Sequence, residues 1–292
     1  YIPFFNLFKD SGWDIVLRIK LEKGYIIYNK LIGLVGGENL FLFITALVSL
    51  FGVYFSILKY SKNYFLSTFI FITMHFYIFL FSGLRQAIAY SIIWISLKYI
   101  KERKLLKFLA LVLIATTFHK TAIIFLPVYF LSNKKLTHKY LIIFLIVILM
   151  TFIFKLQIFN IITKLVYGNY AAIQNGGGYK LLLLLIIIFV GSLYILYKKN
   201  NKEEQEQNNI WLNMLLIGIL VQTLASIEGN IARLTMYFEY SIIFLIPNII
   251  EEIDDKKIRI FLKCIVYILL TVYFVISIQN STSYIPYKMF MF

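Results

Sequence analysis

Residues 105–131 read LLKFLALVLIATTFHKTAIIFLPVYFL, and the fold turns on whether they form one helix or two. The stretch is long and apolar enough for a membrane span, but His119 and Lys120 fall near its centre. A lysine at mid-bilayer costs about 2.5–3.5 kcal/mol on insertion scales. A single span would also place the basic cluster at 98–107 and the basic cluster at 134–139 on opposite sides of the membrane. A hairpin turning at His119 keeps both on one side. Its first arm has only about 14 residues, roughly 21 Å at the helical rise. The turn is therefore expected to sit in a recess below the membrane surface. Irregular backbone at that depth is tolerated only where protein or water surrounds it.

Working outward, the whole chain has the same character. Of its 292 residues, 61% are apolar and only 15% are charged, and mean hydropathy is +0.81. These values exclude an ordinary soluble domain and a disordered chain. We expect an all-α, polytopic integral membrane protein forming a single domain over 1–292. Spanning helices are expected near 39–58, 64–82, 86–100, 104–118, 121–132, 140–158, 180–197, 210–227, 235–250 and 260–279, about ten in all. Residues 1–38 read as an outer leader with short amphipathic pieces, 159–179 as an outer loop with three consecutive glycines, and 198–209 as a polar cytoplasmic linker.

Lysine and arginine set the orientation. With helix 39–58 running inward, one side collects Lys59 and Lys62; Lys98, Lys101, Arg103, Lys104 and Lys107; Lys134, Lys135 and Lys139; Lys198, Lys199 and Lys202; and Lys256, Lys257, Arg259 and Lys263. That is more than half of the 29 basic residues, in five short loops, and the positive-inside rule makes this side cytoplasmic. The net charge of +15 is thus first a topological signal, and no nucleic-acid partner is expected. Cys264 is the only cysteine, and the histidines at 75, 119 and 138 show no metal-ligand spacing, so neither an internal disulfide nor a metal or other cofactor is expected.

Four cationic or polar positions then fall together on the outer side, although none of them was used to orient the chain: Arg85, His119, Lys120 and Arg233. Arg85 opens a helix, where backbone N–H groups and the helix dipole also favour anions. Arginine presents a permanently charged fork of donors suited to phosphate. An interfacial arginine reaching for lipid headgroups is the plain alternative. His119 in a recessed turn suits a general base or a phosphate ligand, or simply a histidine satisfying a nearby carbonyl. Lys120 reads equally well as a topological anchor. Arg233 and Tyr237 lie four apart and share a helix face; an ion pair of Arg233 with Glu228 or Glu239 is the alternative. Glu22 reads as a solvated loop carboxylate or as a base, and His75 as a packed histidine. Tyr167, Tyr170 and Tyr179 in the outer loop offer faces for sugar rings, a weak compositional signal. A cationic recess on the outer side suits a lipid-linked phosphate or diphosphate.

These residues also carry a resemblance. Glu22-Lys23-Gly24-Tyr25 resembles the Glu-x-Gly-aromatic segment of the EpsG-like family of bacterial membrane proteins. Arg85-Gln86-Ala87-Ile88-Ala89 resembles its Arg-Gln-x-x-Ala segment, Phe118-His119-Lys120-Thr121-Ala122 its Phe-His-x-(Ser/Thr)-Ala turn, and Arg233 to Phe238, ahead of Pro247, its Arg-x-x-x-Tyr-Phe segment. The resemblance implies a GT-C-type fold and a Wzy-type polymerase. Such an enzyme joins undecaprenyl-diphosphate-linked oligosaccharide units into exopolysaccharide, capsule or O-antigen at the outer face of the bacterial cytoplasmic membrane. It implies metal-independent glycosyl transfer, with a chain-length regulator and a flippase as pathway partners. Diphosphate would be bound by Arg85, Arg233 and Lys120, with Gln86 and Tyr237 orienting and either His119 or Glu22 as base. Family members usually carry an acidic Gly-(Thr)-Asp-x-x-x-Tyr segment ahead of this region. Since Tyr1 opens the sequence, that segment is expected to precede it. A lipid-linked glycan transporter and a membrane O-acyltransferase of surface glycans are the rival readings.

Overall fold

The computed structural model describes residues 1–167, 177–199, 202–227 and 231–279. In chain order its helices are α1 (Ile2–Asp10), α2 (Trp13–Val16), α3 (Lys23–Val35), α4 (Glu38–Tyr60), α5 (Tyr64–Thr73), α6 (Phe76–Ser82), α7 (Leu84–Lys101), α8 (Leu105–Phe118), α9 (Leu126–Leu131), α10 (His138–Ile153), α11 (Lys155–Tyr167), α12 (Tyr179–Lys199), α13 (Lys202–Gln222), α14 (Ala232–Glu239), α15 (Ile242–Glu251) and α16 (Lys256–Gln279). Short 3-10 helices at Lys120–Phe125 and Thr223–Ser226 precede α9 and follow α13. Among the described residues there is no strand.

The chain is a helical membrane protein, but the expectation of about ten spans is corrected. Every expected segment is helical, yet among the described residues only 38–60, 179–199, 203–226 and 256–279 are continuous helices long and apolar enough to cross a membrane. Two bent pairs raise the number to six at most: α5 with α6, bent by 52°, and α10 with the start of α11, bent by 82°. The breaks have local causes. His75 takes a left-handed backbone conformation (φ 64°), which a non-glycine residue enters at a cost, and α5 stops there. His119 is extended (φ −153°), so α8 ends one residue earlier and the hairpin turns where it was expected. The outer-loop and linker expectations are corrected too. Residues 159–167 continue α11, and from Lys202 the supposed linker is already the first turn of α13. The leader is helical as well, held by Lys30, whose buried ammonium donates to the carbonyls of Lys9 (2.8 Å) and Ser11 (2.6 Å).

Small residues let the central helices approach. A Cβ at Gly52 of α4 would lie 2.2 Å from the Ser91 carbonyl oxygen of α7. The Gly52 N–H donates to Ser91 Oγ (2.9 Å), and Ser91 Oγ donates to the Val48 carbonyl (2.5 Å). Close backbone contact of this kind drives helix association where lipid removes the hydrophobic incentive. In the core Trp94 packs edge-on against Tyr240 and Phe244, and Trp211 lies tilted against Phe244.

The five lysine-rich loops converge on one end of the bundle. Lys62 pairs with Glu252, and Asn248 accepts from the Lys62 N–H while donating to the Tyr60 carbonyl. Lys101 lies 4.5 Å over the Tyr60 ring and 5.0 Å over Trp211. Asn213 donates to the carbonyls of Ser132 and Lys134, and Tyr197 to that of Leu136. Lys199 joins Glu204, Glu252 and Asp254.

Candidate functional site

The opposite end is built from three of the four quoted motifs in direct contact. Glu22 caps the start of α3, Arg85 sits in the first turn of α7, and His119 occupies the turn after α8. Arg85 Nη1 donates to Glu22 Oε2 at 2.5 Å, and His119 Nδ1 stands 3.7 Å from Glu22 Oε1. Side-chain exposures of 31% for Arg85, 22% for His119 and 10% for Glu22 describe a recess reachable from one side. Gly24 makes this approach feasible. A Cβ there would lie 2.2 Å from Thr117 Oγ1 and 2.8 Å from the Thr117 carbonyl oxygen, so a side chain would push α3, and Glu22 with it, away from His119.

The fourth motif enters through its backbone. Gln86 Nε2 donates to the Arg233 carbonyl (2.9 Å), and Tyr90 OH donates to the same oxygen (2.6 Å). Gln86 also donates to the Tyr90 hydroxyl (2.6 Å), so the three form a closed set. The first turn of α14 is thereby fixed to α7, one helical turn from Arg85. The Arg233 guanidinium lies 6.0 Å over the Phe79 ring and makes no ion pair among the described residues. Glu239, one alternative partner for it, is instead buried in the core with Oε1 unpartnered; Glu228 lies outside the described residues. Tyr237 is buried with its hydroxyl 3.4 Å from Thr121 Oγ1, which ties α14 to the 3-10 helix after His119.

The remaining expectations separate. Lys120 is exposed and has no ion-pair partner among the described residues. His75 is half-buried and bonds Ser277 Oγ (2.9 Å), a packing role. Tyr170 and the side chain of Tyr167 lie outside the described residues. Sequence reasoning missed Tyr90, and it quoted Thr121 in the turn motif without giving it a role. The first stands four residues after Gln86 on the same helix face, a spacing that signalled it.

Electrostatics distinguish the two candidate bases. Burial by itself would raise the Glu22 carboxyl, but its own backbone N–H and the Arg85 guanidinium outweigh that and hold it below the usual carboxylate range. Burial pushes the His119 ring down to about 4; Glu22 opposes this, while Arg85 and Arg233 add to it. His119 is therefore neutral near pH 7 with an Nδ1 that has no hydrogen-bond partner. Among the described residues no group of three or more metal-ligating side chains occurs. The arrangement can bind an anion at Arg85 and Arg233 and accept a proton at His119.

No curated protein and no solved structure matches the chain. The model of one family, described as the EpsG family, matches residues 1–289. The match takes in the helices that carry Glu22, Arg85, His119 and Arg233, and it fits a part in surface-polysaccharide biosynthesis. This helical membrane protein belongs to the EpsG family.

Proposed function

We propose that the chain is a Wzy-type polymerase that joins undecaprenyl-diphosphate-linked oligosaccharide units, with its site facing outward from the bacterial cytoplasmic membrane and a GT-C-like arrangement of helices. The observation that carries this reading is the recess at one end of the bundle. There the Glu22–Arg85–His119 cluster and the tethered start of α14 lie opposite the lysine-rich end.

In the reaction a hydroxyl of one lipid-linked unit attacks the anomeric carbon of another, and undecaprenyl diphosphate leaves. Negative charge grows on the departing diphosphate, so cations preplaced there lower the barrier more than they tighten ground-state binding. Arg85 and Arg233 take that role, with exposed Lys120 at the entrance. Gln86 and Tyr90 hold the Arg233 backbone, and Tyr237 holds α14 against Thr121. His119 takes the proton from the attacking hydroxyl. An incoming diphosphate offsets the two guanidinium charges that disfavour protonation of the ring, so substrate arrival itself makes His119 a better base. Glu22, already engaged by Arg85, orients rather than abstracts.

One observation favours a second reading. Glu22 and His119 form an acid–histidine pair of the kind an O-acyltransferase would use. Purified protein given undecaprenyl-diphosphate-linked oligosaccharide decides between them. A ladder of products lost on His119→Ala supports polymerisation. Acylated single units with no ladder, in the presence of an acyl donor, support the rival.

A further inference from the structure

At the same end of the bundle as Arg233, a second cation stands outside the site just described. Lys155 is the first residue of α11, immediately after the 82° bend. Its ammonium meets the first residue of α12 and the last residue of the second 3-10 helix: Nζ lies 3.2 Å from Tyr179 OH and 3.1 Å from Ser226 Oγ. It also stands 5.7 Å over the Tyr179 ring and 5.1 Å over the Phe152 ring. Both polar partners are neutral, and no carboxylate among the described residues lies within ion-pair distance of it. The charge is therefore ordered and has no counter-charge among the described residues, and half of the Tyr179 side chain is open.

A second, independent feature adjoins it. Gln222, 1% exposed, donates Nε2 to the Gly178 carbonyl (3.1 Å), while its Oε1 is buried with no partner. Gly178 adopts φ +90°, and a Cβ there would lie 2.6 Å from Gln222 Nε2, so this close seat requires glycine. A buried amide oxygen without a donor costs stability that a ligand hydroxyl would restore. An unpaired ammonium, an open aromatic face and an orphaned acceptor together suit a sugar diphosphate: cation for phosphate, ring for sugar face, amide for hydroxyl.

Distance supplies the role. Ser226 precedes Arg233 by seven residues, so the two lie at most about 25 Å apart along the chain. Polymerisation needs two lipid-linked units at once. The acceptor's attacking hydroxyl belongs at His119, while its own diphosphate is a whole oligosaccharide away. We propose that Lys155, Tyr179, Ser226 and Gln222 form a second anionic-glycan site that holds the diphosphate end of the acceptor unit. This rests on the polymerase reading for its role, but not for its existence as a site.

The test counts equivalents of farnesyl diphosphate, a sugar-free prenyl diphosphate, bound to the full chain in lipid nanodiscs. Wild type should bind two, Lys155→Gln one, and Lys155→Arg two. Tyr179→Leu removes the hydroxyl that holds the Lys155 ammonium and should weaken one of the two sites at least about threefold, a change of roughly 0.6 kcal/mol, without touching the other. Wild type binding a single equivalent, or Lys155→Gln still binding two, overturns the second site. Arg85→Ala reports separately on the first site: if it retains two equivalents, the diphosphate role of Arg85 fails while the Lys155 site stands. With lipid-linked acceptor, Lys155→Gln should raise KM about tenfold at unchanged kcat and leave a lipid-free, phosphate-free oligosaccharide acceptor unaffected. Equal loss with both acceptors overturns the assignment to the acceptor's diphosphate.

Discussion

The two ends of the bundle use their charges in opposite ways. At the lysine-rich end the cations that join loops are matched by carboxylates, Lys62 and Lys199 on Glu252, Lys199 also on Glu204 and Asp254, Arg259 and Lys263 on Glu251, while Lys101 rests on the Tyr60 and Trp211 rings. These pairs bring together the loop after α4, the α12–α13 connection and the α15–α16 connection, and their work is architectural. At the other end Glu22 is the carboxylate shared by Arg85 and His119, while Arg233, Lys120 and Lys155 have no acidic partner among the described residues. A cation held in place without a counter-charge is costly, and such groups cluster where a ligand supplies the missing charge. One end spends its charges on holding loops together; the other keeps them available for an anion.

The largest expected effect comes from removing Arg85, whose carboxylate partner Glu22 is shared with His119. Arg85→Ala should lower polymerisation kcat by about 100-fold, near 2.7 kcal/mol of transition-state stabilisation, with protein level kept. Arg85→Lys should recover part of it, because lysine keeps the charge but loses the two-pronged donor. Initial rates of ladder formation measure both, and wild-type rates for Arg85→Ala would break the contrast.

An intermediate effect concerns pH. His119 has its folded-state pKa pushed down to about 4, so the neutral, proton-accepting form is present above that value and is lost as pH falls through it. The kcat/KM profile should be flat from about pH 6 to about pH 8 and decline toward pH 4. Glu22 is the neighbour that raises the ring, so Glu22→Gln should move this acid limb to lower pH. A limb that moves upward would sink the assignment of His119 as the base.

The smallest effect is expected at the lysine-rich end. Lys199→Met should cost about 1 kcal/mol of stability or less, since its ion pairs are partly solvent-screened, and should leave polymer length unchanged. Thermal unfolding and product gels check the two halves. A polymerisation defect as large as that of Arg85→Ala would show that the two ends are not separable.

Several features are legible in the amino-acid sequence. The turn at His119 follows from the cost of a mid-membrane lysine, and it occurs there. The convergence of five lysine-rich loops on one end, with Arg85, His119 and Arg233 at the other, follows from charge placement alone. Other features were hidden. Apolar composition reports that a segment avoids water, but not where its backbone breaks: the left-handed His75 and the bend at Phe154 interrupt two expected spans, the two arms around His119 are short, and the expected 235–250 helix is split between α14 and α15, which leaves four to six spans among the described residues. The leader's helices were obscured by their mixed polarity, because Lys30 is satisfied by carbonyls distant in sequence rather than by solvent. Tyr90 shares a helix face with Gln86 in the sequence, but that its hydroxyl bonds the Arg233 carbonyl is set only by packing.

The sequence by itself determined the class of the protein, a helical membrane protein with its basic loops gathered on one side, because hydropathy and charge act on each segment separately. It also placed the four motifs of the EpsG family in order. Only the tertiary structure decided which charges are spoken for. Whether Glu22 faces Arg85, whether Arg233 meets an acid, and whether Lys155 stands over Tyr179 depend on contacts across tens to hundreds of residues. Pairing energies at a few ångströms, unlike hydropathy, exist only once the helices have packed.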